Sequence, residues 1–284
     1  MLGKLLKYDM KAISKFLIIV HAALLGVAVI ISFMASYYSK GSKSNTSFSV
    51  NLENGIGSAI FLILIIIAIV IFIGAYYGTY IISASRYYKN IYSDEGYLLN
   101  TLPVSKDKIL LSKIIMATIW GIADIVVIII SFMILFKVTP SKISSVLRTA
   151  VTSDGETFWS MWGSLIIVLI VTFIIQTIVS IITIYFSITI GDVFFGHRVV
   201  GAIVSYVVIS FIVGITSGLI SAGFSSSHAF NHEPDSMEAA VKAMQGIKVV
   251  GTRLMIAEIV FMIIIGAVMY FLTRYMLNKK LNLE

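Results

Sequence analysis

The chain has 284 residues, of which 58% are hydrophobic and 12% charged, and its mean hydropathy is +0.99; that leaves too little polar surface for a water-soluble domain and points to a multi-span membrane protein. It has no cysteine, which excludes disulfides and thiolate metal sites. The net charge is +7, but the basic residues border apolar runs rather than forming one face, which argues against nucleic-acid binding.

The fold class expected is an all-α membrane protein. Residues 1–15 pattern as an amphipathic helix, with Lys4, Lys7, Lys11 and Lys15 on one side and Leu2, Leu5, Leu6, Ile13 and Phe16 opposite, so an interfacial elbow along the membrane surface is expected there. Six runs are long and apolar enough to cross the hydrocarbon layer as helices: Phe16–Ser36, Ser58–Ile82, Ile114–Phe136, Gly163–Ile190, Val199–Gly223 and Leu254–Thr273. The first is longer than the apolar core of a signal peptide and is followed by no clear cleavage site. With the N-terminus inside, 13 of the 21 Lys and Arg fall on the inner side and eight on the outer. The positive-inside rule therefore puts both termini in the cytoplasm.

In the first span His21 is read as an interhelical hydrogen-bond former, as is Gln176 in the fourth. Small residues recur four apart in span two as Gly74 and Gly78, and in span five as Gly214, Gly218 and Ala222, beside Ser210 and Ser217. Such spacing allows close backbone approach, either within the chain or to a second copy. Asp124 lies near the middle of span three, where a charge is costly; a transport path, a proton route or a simple hydrogen bond would each account for it.

Between spans two and three lies a polar segment, residues 83–113, whose core reads RYYKNIYSDEGYLLNTLPVSKDKILLSK from Arg86 to Lys113. Half of the 14 tyrosines fall between Tyr76 and Tyr97, in part as ordinary interfacial anchors. Asp94, Glu95 and Gly96 break a helix, Leu98, Leu99 and Leu102 offer an apolar face, and Pro103 opens a new segment. Apolar residues beside carboxylates suit a docking surface.

The outer loops add less. Trp159 and Trp162 stand where an aromatic belt would. Asp235 and Glu238 suggest a capping pair opening a short helix over Met237–Val249, ahead of the sixth span. Glu258, about one turn from Arg253, reads as its structural partner. His228, His232 and Glu233 have helical metal-ligand spacing but offer two imidazoles and no fixed scaffold, so no metal site is expected.

The order Glu95-Gly96-Tyr97-Leu98, Leu102-Pro103-Val104-Ser105-Lys106, Ile109-Leu110-Leu111 and Lys113 resembles the cytoplasmic pattern that follows the second span in ABC-2 type permeases, the membrane subunits of one class of ABC exporter. Six spans, cytoplasmic ends and a basic N-terminal segment extend the resemblance over the whole chain. It implies a coupling helix in residues 83–113, in which Asp94, Glu95, Gly96, Tyr97, Leu98, Leu102 and Pro103 contact a separate ATPase subunit. It further implies a second copy of the chain or a related permease as partner, with Gly74, Gly78, Ser210, Gly214, Ser217 and Gly218 at the translocation path or dimer packing. The short acidic-aromatic insert looks most like permeases of bacterial exporters for amphipathic peptides such as phenol-soluble modulins, which implies a bacterial plasma-membrane location. A drug or antibiotic-resistance permease is the alternative within the class.

ATP and magnesium would belong to the partner subunit. The two stretches closest to a P-loop, GDVFFGHR at Gly191–Arg198 and GIKVVGTR at Gly246–Arg253, lack the lysine that holds the phosphates, so no cofactor and no enzymatic activity are expected of this chain. Two other classes share the topology. An ion-coupled secondary transporter would use acids and broken helices near the midplane, and a non-transporting scaffold or sensor would use the insert for docking alone.

Overall fold

A computed structural model of the chain describes residues 2–41, 55–93, 96, 103–135, 158–194, 197–225 and 237–279. All regular structure among them is helical: α1 (Leu2–Gly41), α2 (Gly55–Tyr92), α3 (Lys106–Leu135), α4 (Phe158–Phe194), α5 (Arg198–Ser225) and α6 (Met237–Lys279). Among the described residues six helices are long and apolar enough to cross a membrane. The six expected spans fall on them in order, apart from Phe136, which lies outside the described residues.

The chain divides into two compact units, Met1–Ser83 with Ile115–Ile143, and Ala84–Ile114 with Ser144–Glu284. In the first, Ile13 and Leu17 of α1 bury against Met116 of α3, with Ile82 of α2 alongside. Further along, Ile31 buries against Ala68, flanked by Phe72 and Leu135. Rising numbers in α1 thus meet rising numbers in α3 and falling numbers in α2, so α1 and α3 run parallel with α2 antiparallel to both. In the second unit α4 is central, packing along both α5 and α6. A Cβ placed on Gly266 of α6 would sit 3.0 Å from a Val179 methyl of α4, a close helix approach of the kind small residues permit.

Two boundaries differ from the sequence expectation. No separate elbow is seen: α1 is one helix of 40 residues, about 60 Å long at 1.5 Å per residue, roughly twice the hydrocarbon thickness. Leu6 and Met10 pack in the cluster around Met116, and Ile13 is 3% exposed, so part of the apolar stripe assigned to the membrane surface is used in packing, while Phe16 stays exposed. Likewise Met237–Val249 is not a distinct short helix but the first part of the 43-residue α6. Hydropathy marks where lipid covers a helix; where the helix ends depends on caps and breakers, and α6 runs on through Gly246 and Gly251 without a break.

Candidate functional site

The polar segment between α2 and α3 is mounted on two helical stems, Ala84–Tyr92 and Lys106–Ile114, both in the second unit. α2 ends at Tyr92, and the Gly96 amide donates to the Ser93 carbonyl at 2.7 Å. A side chain at Gly96 would overlap the Ile91 carbonyl, so the chain folds back on the last turn of α2 in a way only glycine allows. α3 opens at Lys106, with the Ser105 carbonyl accepting from the amides of Lys108 (2.9 Å) and Ile109 (3.3 Å), as an N-cap residue does.

Both stems are fastened by a buried polar network. Tyr87, Tyr185 and Thr189 are 0%, 1% and 1% exposed. The Tyr87 and Tyr185 rings stack at 4.1 Å with 7° between planes. The Thr189 hydroxyl donates to the Tyr185 carbonyl at 2.9 Å; with its one hydrogen used, it accepts from the Tyr92 phenol at 2.9 Å and the Tyr87 phenol at 3.0 Å. The Tyr185 phenol donates to the Lys113 carbonyl of the second stem, and the Lys113 ammonium donates to Asn90 Oδ1 of the first at 3.1 Å. One threonine and one tyrosine of α4 thereby tie the two stems to each other.

Charged groups complete the mount. Arg198, the first residue of α5, donates to the Tyr92 carbonyl at 3.2 Å and pairs with Asp192 at 3.0 Å, which satisfies an orphan carbonyl at the end of α2. Lys106 donates to the Leu277 carbonyl near the end of α6 at 2.8 Å, and Asp107 pairs with Arg274 at 2.7 Å. The last pair is partly exposed, so it orients more than it stabilises, at about 0–1 kcal/mol. Sequence reasoning saw the tyrosines in part as interfacial anchors and Tyr97 as a partner contact, and missed Thr189, Tyr185 and Arg198, whose partners lie about a hundred residues away.

Of the expected contact residues, Gly96 is buried and Pro103 exposed; Asp94, Glu95, Tyr97, Leu98 and Leu102 lie outside the described residues. So do Asp235 and the trio His228, His232 and Glu233. Gly74, Gly78, Gly214 and Gly218 have no neighbouring atom within 4 Å of an added Cβ, so among the described residues nothing packs on those positions. Ser210 and Ser217 are half-buried on α5. Asp124 is 2% exposed and faces His21 across 2.6 Å within the first unit; the sequence singled out both and did not pair them. No group of three or more metal-ligating side chains is found among the described residues. No protein-family model matches the chain, and no curated protein or solved structure does.

Proposed function

We propose that this multi-pass membrane protein is the permease subunit of an ATP-driven exporter of the ABC-2 type. Its 83–113 segment would be the coupling element that receives a separate ATPase subunit on the cytoplasmic side. The observation that carries the reading is the mount: a polar segment whose two helical stems are held by a buried hydrogen-bonded network and attached to three further helices. A docking loop that only recruited a partner would need no such fastening, whereas one that transmits displacement needs stiff stems. The motif running from Glu95 to Lys113 supports the same assignment.

In this reading closure of the ATPase subunits displaces the insert, and the network passes that displacement to α4, α5 and α6. The unpacked glycines of α2 and α5 are offered to a second copy of the chain or a related permease. Walls of Ile, Val and small hydroxyl residues suit an amphipathic or apolar cargo, peptides of the phenol-soluble-modulin kind above all. The test is purification from native membranes: an ATPase subunit at equal stoichiometry supports the reading, and its absence counts against it. Glu95→Ala should leave the complex assembled and reduce cargo-stimulated ATP hydrolysis; unchanged stimulation removes Glu95 from the coupling role.

The pairing of His21 with Asp124 favours one second reading, transport driven by an ion gradient. Flux into liposomes that needs a proton gradient and no ATP would select it.

A further inference from the structure

Three polar side chains from three helices meet inside the first unit: His21 of α1, Thr79 of α2 and Asp124 of α3, at 8%, 2% and 2% exposure. His21 Nδ1 lies 2.6 Å from the Leu17 carbonyl oxygen, and Nε2 lies 2.6 Å from Asp124 Oδ1. The Thr79 hydroxyl donates to the Ala75 carbonyl at 3.4 Å, Asp124 Oδ2 is buried without a hydrogen-bond partner among the described residues, and Trp120 stacks on the imidazole with ring centres 5.9 Å apart.

This geometry fixes a proton count. A carbonyl oxygen only accepts, so Nδ1 carries a hydrogen. If no further proton were present, the lone pair of Nε2 would face a carboxylate lone pair at 2.6 Å, and the carboxylate charge would be buried without compensation. The contact therefore requires one proton between Nε2 and Oδ1. Whether it resides on nitrogen, as imidazolium and carboxylate, or on oxygen, as imidazole and carboxylic acid, the pair is neutral overall.

We infer that His21 and Asp124 form a one-proton binding site that latches α1 to α3, with the hydrogen ion itself as ligand. The inference does not depend on the exporter reading. Few other ionisable groups bear on the site. α3 carries no other charged residue from Ala117 to Ser131, and α2 carries none from Ile66 to Ala84, where the titratable groups are the phenols of Tyr76, Tyr77 and Tyr80. On α1 the nearest charge is Lys15, which is exposed.

The sign of the pH dependence follows from counting. Separated and solvated, a histidine and an aspartate hold one titratable proton between them from about pH 3.9 to about 6.5, and none above that. The latched pair holds one. Above about pH 6.5 unlatching releases a proton, so the latched-to-unlatched ratio falls about tenfold per pH unit. Below about pH 3.9 unlatching takes up a proton, and acid weakens the latch as well.

The experiment uses the full chain in lipid nanodiscs with Trp159→Phe and Trp162→Phe, leaving Trp120 as the one tryptophan of three. Its emission should stay constant between about pH 5 and 6.5 and shift to longer wavelength at higher pH with the slope of one proton. Asp124→Asn, whose amide can donate permanently to Nε2, should abolish the shift above about pH 6.5 and leave only a weakening below it, where the freed imidazole takes up a proton. A flat profile in the parent, or an unchanged slope in Asp124→Asn, overturns the inference. Should Asp124→Asn fail to fold, His21→Gln takes its place: it removes the imidazole and should also abolish the slope, and a slope that persists in it refutes the latch.

Discussion

Thr189 shows how much one hydroxyl can organise. It gives its only hydrogen to the turn behind it and uses both lone pairs for phenols of α2. Thr189→Val keeps the shape and removes both acceptors, stranding two buried phenols at about 1–3 kcal/mol each. A lowered thermal midpoint in detergent is expected, with Thr189→Ser close to the parent; a Val variant as stable as the parent would show that the phenols find other partners. Thr189 was not legible in the sequence, because a threonine in an apolar span looks like any other until its neighbours are known. His21 and Asp124 were legible one at a time, since a polar group in lipid demands a partner. Their pairing was not, because 103 residues separate them and helix periodicity says nothing about which helices are adjacent.

Among the elements, glycines with the same chemistry take opposite roles. A side chain at Gly191 of α4 would fall on the backbone of Ala202 in α5, where nothing can yield by rotating. Gly191→Val should therefore cost about 1–3 kcal/mol or more through forced displacement, seen as a lower unfolding temperature or loss of the folded monomer. Gly266→Ala should be milder, since it meets only a Val179 methyl. Gly214→Leu and Gly218→Leu should leave the monomer as stable as the parent, because nothing is near those positions. If α5 contacts a second copy, the same two variants should shift the chain toward the monomer in cross-linking or mass photometry. The GxxxG spacing showed in the sequence where backbones could approach, and could not tell a tightly seated glycine from an open one. Helix number and order were readable because lipid imposes a minimum apolar length; the ends of α1 and α6 were not, because that requirement stops at the headgroups while the helices continue.

For the molecule as a whole, the 83–113 segment stood out in the sequence as a polar island because polar residues are scarce elsewhere. Its fastening was not recognisable, since it draws on residues from α4, α5 and α6. Loosening that mount should separate assembly from work. Arg198→Ala with Lys106→Ala removes two ties to backbone carbonyls while leaving residues 94–103, between the stems, unchanged. If the chain is the proposed exporter permease, the double variant should still co-purify with an ATPase subunit while cargo export falls several-fold; unchanged export would mean the stems carry no displacement.

The seat of Gly191 on Ala202 has a mechanical meaning. Only residues 195–197 separate α4 from α5, and beside that short connector the two backbones already touch, so this end of the pair cannot open. Any relative tilt of the two helices therefore has its pivot at this end. α5 is 28 residues long, about 42 Å, so a tilt of about 5° at the pivot swings its far end by about 4 Å. A displacement too small to notice beside the insert would thus emerge on the other face of the membrane as a gap wide enough to admit a side chain.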